Sequence, residues 1–486
     1  MPIIPQRLIP EIYKDKVIQK HIWIGLILMI TQITVFKLFY PFADFFSDSY
    51  SYIYAAITGL NVNLWPIGYT KFIWLFHHIT HSDTALVVFQ YLLIQGATLY
   101  LLFTVFYYYQ PGKTVKLVVY YILMLNPLSL YLSNYISSDG LFLALSLLWA
   151  GQLIRIMHRP TILLMMLHSL LIVIAFTVRY NAVFYPVISA IAYLLTSKKL
   201  AYKATGILLP VLLVALFISY TRNETQKYTG TKEFSVFGGW QLANNALYMY
   251  PFIELHDAPP AQCAGFHQTV IKFFEKAGDQ MKSLSPADGA FYLRDQRAPL
   301  KVYLAERMGN KEDSTGGIQS WGSVSPIYSA YGSFLISGYP FSFTRHFIFP
   351  NFGNYWVPPL EKLEVYNLGS NKVSSIAGYW FDYPSSNVRV GSATVQKVIL
   401  GLFPVLFGGL NFLYLITLIG VIRTGKLKTT SQSLKLGILL FTCLLIANAA
   451  FGILASPIVF RYMAFPMVIL IIFSGVLMEK LDLNEK

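Results

Sequence analysis

Of the 486 residues, 55% are hydrophobic and only 12% are charged. A soluble chain carries about a quarter charged residues, so this composition excludes a soluble enzyme and points to a polytopic membrane protein. The net charge of +14 is scattered over short loops without a continuous basic stripe, which argues against a nucleic-acid partner.

Apolar runs of spanning length are predicted at 22–40, 84–106, 115–131, 139–157, 161–178, 181–196, 204–220, 397–422, 434–455 and 457–478. Most reach the ~17–25 residues that a bilayer core requires, and 115–131 and 181–196 are the short ones. The fold class is therefore all-α, with about ten transmembrane helices. Residues 1–220 form a seven-helix module with a long first outer loop at 41–83, and 396–486 add three helices. Between them, 221–395 reads as an extracytoplasmic domain, mixed α/β or mostly helical, with helical pieces near 262–282 and 287–308.

Basic residues set the orientation. One set of segments holds Arg7, Lys14, Lys16, Lys20, Lys113, Lys116, Arg155, Arg159, Lys198, Lys199, Lys203, Arg423, Lys426, Lys428, Lys435, Lys480 and Lys486. The opposite short loops hold only Lys71, Arg179 and Arg461. The positive-inside rule then places both termini in the cytoplasm. The first apolar run is a full span with no small-residue cleavage site, so it is expected to remain in place. Cys263 and Cys443 fall on different sides of the membrane boundary and form no disulfide framework. No Walker loop, dinucleotide fingerprint or zinc spacing is present.

In the first outer loop, Asp44 and Asp48 stand directly after the first span. Carboxylates at the edge of a low-dielectric layer are costly, and that makes them functional candidates. Either they cap a helix beginning near Ser49, or one serves as general base or metal ligand. Pro66 to Phe76 reads as an interfacial helix carrying Tyr69, Lys71 and Trp74. His77 and His81 share a face of it but lack the acid of a zinc motif, so a polar interfacial face is the simpler reading. Asp139, in Ser137-Ser138-Asp139-Gly140, opens the fourth span at the same depth as the first two acids. Arg179 in Arg179-Tyr180-Asn181 and Arg461 in Arg461-Tyr462 stand where positive charge is otherwise avoided. Their forks suit lipid phosphate oxygens, against the alternatives of plain ion pairing or snorkelling. In the large segment, His346 precedes an aromatic run that suits either a sugar site or a domain core.

Taken together these residues resemble the GT-C membrane glycosyltransferases, in particular bacterial relatives of the protein mannosyltransferase and lipid A aminoarabinose transferase group. The first loop of that group often reads Asp-Glu-x-x-Tyr-x-x-x-Ala. Here Asp48, Tyr52 and Ala56 are in register, and Ser49 stands in place of the second acid. Ser138-Asp139-Gly140-Leu141 occupies the slot that often opens the fourth span with Thr-Glu-Pro-Leu. The resemblance covers about residues 22–200.

The resemblance implies sugar transfer on the outer face of the cytoplasmic membrane, from a polyprenyl-phosphate-linked donor to a glycan, lipid or protein acceptor, with inversion. Asp48 is then the general base, Asp44 its substitute, and Asp139 positions the acceptor or assists the base. Arg179, Arg461 and Lys71 neutralise the departing lipid phosphate, while Tyr52, Tyr69 and His346 contact substrate. No cofactor is assigned, and a divalent cation is left open. The competing readings are a polysaccharide polymerase or ligase, a lipid-linked glycan transporter, and a non-catalytic membrane subunit.

Overall fold

A computed structural model of the protein describes residues 16–309, 313 and 315–482. Arg7, Lys14 and Lys486, three of the basic residues used for orientation, lie outside the described residues. The chain is 78% helical without a strand among the described residues, so the large segment is helical and its mixed α/β alternative finds no support. The β-type pairing that does occur is limited to isolated bridges, Asp44 with Tyr135 and Lys372 with Asn387.

Among the described residues, eight helical stretches are long and apolar enough to cross a membrane: Ile18–Phe39, Asp83–Tyr109, Lys113–Asn134, Ser138–His158, Leu200–Thr229, Ala393–Arg423, Gln432–Ala455 and Phe460–Asp482. Two further apolar helices, Ile162–Val178 and Tyr180–Leu194, are shorter. This corrects the expectation of about ten full spans. At ~1.5 Å per residue the 17 residues of Ile162–Val178 cover roughly 26 Å, short of a ~30 Å core. The predicted short run at 115–131 moves the other way. Its helix Lys113–Met124 and the short helix Leu128–Asn134, broken at 125–127, together make a candidate span of 22 residues.

Burial separates central from peripheral helices. In Phe460–Asp482, 78% of the apolar window is buried inside the protein, against 17% in Leu200–Thr229. The last helix and Ser138–His158 thus form the axis. Close approach there rests on small residues: a Cβ on Gly151 would meet the Tyr100 ring at 2.5 Å.

The segment between the two helical modules has its own aromatic core of Trp240, Tyr248, Phe266, Tyr292, Tyr328 and Tyr331. Its main pair is Val236–Leu247 against Ile318–Gly338, and a Cβ on Gly332 would come within 2.9 Å of the Ala243 nitrogen. The helical piece expected near 262–282 is Ala264–Ala277, and the one near 287–308 is reduced to Phe291–Arg294 and Pro299–Met308.

Two polar clasps tie this segment to the bundle. Asn351, fully buried, donates from Nδ2 to the carbonyls of Ile453 and Ser456, both at 2.8 Å, and its Oδ1 accepts from Ile458 N at 2.9 Å. These bonds close the end of helix 432–455 and fix the bend that leads to Arg461. Farther along, Tyr366 donates to Ala43 O at 3.1 Å and Tyr135 donates to Leu363 O at 3.1 Å, so residues 362–367 lie across the first loop.

Candidate active site

The first loop enters its helix, Ser47–Ile57, without an acidic cap. Phe46 occupies the cap position, and its N–H donates to Ser49 Oγ at 3.1 Å. Ser49, the residue standing where a second acid was expected, is therefore a buried capping hydroxyl. Asp48 falls in the first turn, where the helix dipole favours negative charge.

Asp48 is half-buried, and its carboxylate makes no contact ion pair among the described residues. Ser47 Oγ donates to its Oδ1 at 3.3 Å, and Lys362 Nζ donates to the same Ser47 hydroxyl at 3.2 Å. Lys362 also sits 5.6 Å from the centre of the Phe46 ring, and Arg461 lies 5.0 Å from it. The charges of Lys362, Arg294 and Arg461 all act on Asp48. Burial holds the Lys362 ammonium below its ordinary range, with Asp48 opposing that shift.

Asp139 takes the centre of the neighbouring group. Arg179 forms an ion pair with Asp139 Oδ1, and Ser137 donates to Oδ2 at 2.9 Å. Arg461 Nη1 stands 3.7 Å from the same Oδ2. Both carboxylate oxygens are thus occupied, which leaves Asp139 as the anchor of two arginines rather than a free acceptor-positioning acid. Tyr462 lies under Arg179 at 4.4 Å and accepts from Arg461 Nη2 at 3.2 Å. Tyr52, buried, donates to Ser138 Oγ at 3.3 Å and packs edge-on to Tyr69 at 5.0 Å. Tyr69 in turn donates to Gln90 at 3.0 Å.

Beside the arginines opens a narrow cleft. Asp139, Arg179, Arg461, Asn181 and Asn448 supply its polar wall, and Phe142, Phe184, Tyr185 and Phe465 its apolar one. A polar end next to an aromatic wall suits an amphiphile with an anionic head.

Six of the nine sequence-predicted residues converge on this region: Asp48, Asp139, Arg179, Arg461, Tyr52 and Tyr69. The other three do not join it. Asp44 is 1% exposed and is held by Asn367 N–H at 2.8 Å and Gln396 Nε2 at 3.4 Å, which makes it a tie between the first loop and the 362–367 crossing. Burial pushes its carboxyl up to about 7, against the pull of those hydrogen bonds. Lys71 donates to Leu60 O at 2.9 Å and to Asn61 Oδ1 at 3.1 Å, capping a local turn. His346 stacks on Phe252 at 3.7 Å inside the intervening segment.

His77 is stacked between Trp380 and His81, at 3.7 Å and 4.0 Å, and His81 Nδ1 meets Asp382 at 2.5 Å. Among the described residues no three His, Cys, Asp or Glu side chains assemble as a metal ligand set.

Sequence reasoning missed Arg294, Glu361, Lys362 and Tyr462. Arg294 is ion-paired with Glu361, whose backbone is left-handed at φ +59, and the pair rests against Gly289. Only Tyr462 left a trace in the sequence, in the Arg-Tyr dipeptide shared by 179–180 and 461–462. No protein-family model matches this chain, and no curated protein or solved structure is found to be similar to it.

Proposed function

We propose that the protein is a membrane glycosyltransferase that moves a sugar from a polyprenyl-phosphate-linked donor to an acceptor hydroxyl at the outer membrane face. The observation that carries this reading is Asp48: a half-open carboxylate with no contact ion pair among the described residues, adjoining two largely buried arginines that line an amphiphilic cleft.

In the proposed reaction the acceptor oxygen attacks the anomeric carbon as its proton passes to Asp48. The bond from that carbon to the phosphate oxygen breaks on the opposite face, which inverts the centre. The electron pair leaves with the polyprenyl phosphate, and the added negative charge falls at Arg179 and Arg461. Asp139 holds both guanidinium groups in place so that little reorganisation is needed at that moment. Lys362 and Arg294 place positive charge around the Asp48 carboxylate.

The arginine count also favours a second reading, a polysaccharide ligase that uses a lipid-linked substrate without a carboxylate base. Asp48→Asn separates the two. In a transfer assay with a lipid-linked sugar the glycosyltransferase reading requires loss of product with donor binding retained, and full activity would leave the ligase. Mass spectrometry of lipid that co-purifies with the protein tests the donor class, for which a polyprenyl phosphate is the expected species.

A further inference from the structure

The cleft beside the arginines contains two buried polar atoms that find no hydrogen-bond partner among the described residues. Arg461 Nε–H is sealed from solvent and donates to nothing. Asn448 Oδ1, on helix 432–455, is likewise sealed and accepts nothing. Both residues line the same cleft. An unsatisfied amide inside an apolar helix costs several kcal/mol in hydrocarbon, and polar side chains at membrane depth are functional candidates by default.

The chemistry of the two orphans differs. A guanidinium N–H calls for an acceptor, which a phosphate oxygen supplies. An amide carbonyl calls for a donor, and neither a phosphodiester nor an isoprenoid chain carries one. A single ligand that meets both bears a phosphate for Arg461 and a hydroxyl for Asn448. Aromatic rings of Phe142, Phe184, Tyr185 and Phe465 complete the wall, a surface that suits the apolar face of a sugar ring.

We infer that Asn448 is a specificity residue that accepts a hydrogen bond from a hydroxyl of the donor's sugar while Arg461 holds the adjoining phosphate. This rests on the donor class proposed above. Asn181, next to Arg179 on the same wall, is placed to assist.

The test uses the purified full chain in detergent and three probes: polyprenol, polyprenyl phosphate, and a panel of polyprenyl-phosphoryl hexoses and pentoses. The wild type is expected to prefer polyprenyl phosphate to polyprenol, and at least one glycosylated member to the bare phosphate. Asn448→Leu is expected to weaken that glycosylated member about tenfold, a single buried hydrogen bond's worth. It should leave the bare phosphate within about twofold and the melting temperature unchanged or raised. Asn448→Gln, which keeps the amide carbonyl, is expected to recover part of the preference.

Equal weakening of bare and glycosylated lipid by Asn448→Leu overturns the inference, as does a wild type that binds the two alike. In either case the donor class stands. A wild type that does not distinguish polyprenyl phosphate from polyprenol overturns the donor class itself, and the inference with it.

Discussion

Asp44 and Asp48 lie one helical turn apart in the chain, yet the structure puts them in opposite surroundings. The Asp44 pocket is closed: its oxygens accept from Asn367 N and Gln396 Nε2, and solvent reaches 1% of the residue. Asp48 is only half-buried, with three cations within electrostatic range and no contact ion pair among the described residues. A closed carboxylate with bonded oxygens ties backbone segments together, whereas a half-buried one beside positive charge can be reached by a substrate hydroxyl. The difference teaches that proximity in sequence says little about role when one residue is bonded into its own fold and the other is left half-exposed beside positive charge.

The comparison is most exposed to Asp48→Asn. Transfer from a lipid-linked donor should fall by ~10²–10⁴-fold, the usual worth of a general base, with the melting temperature unchanged. A variant that unfolds instead would make Asp48 another tie like Asp44. Next in size is Asp139→Asn, which strands Arg179 in a buried site and should cost ~3–5 kcal/mol of unfolding free energy in denaturant titrations. Adding Arg179→Gln should cost less than the two single changes summed, since the pair is then absent as a unit.

Asp44 makes a subtler statement through pH. Its carboxyl sits at about 7 in the fold against an ordinary 3.8, so between those values the folded chain keeps a proton that the unfolded chain releases. The resulting stabilisation is complete below about pH 4 and is lost as pH rises through 7. Thermal melts of the wild type should show that decline, and Asp44→Asn should flatten it. Smallest of all, Lys71→Gln and His346→Gln should change stability by no more than ~0.5–1 kcal/mol and leave transfer within about twofold. A larger loss of transfer would return either residue to the site.

Much of the architecture was legible because apolar runs leave little choice, and every predicted run is helical. The count of full spans was less legible, because an apolar helix such as Tyr180–Leu194 has spanning composition without spanning length. In the site, Asp139 and Arg179 were readable because each stands at a helix junction where charge is otherwise avoided. Lys362 and Arg294 were not readable, since both sit on short helical turns of the polar segment 221–395, where charge is ordinary. Asp44 misled for a related reason: Asn367 and Gln396, which consume its oxygens, are remote in sequence and carry no pattern.

The Asp44–Asn367 bond spans 323 residues, whereas Asp139 and Arg179 are only 40 apart. At ~5–20 residues per second of synthesis the distal partner emerges tens of seconds after the first loop. The arginine anchor can close early, within the first module. The vestibule around Asp48 cannot, because Arg294, Lys362 and Arg461 all arrive later. A chain arrested before residue 294 would thus display its carboxylate without any of the three, and one arrested before 461 would lack the last, a translated but incomplete site that only the final helix finishes.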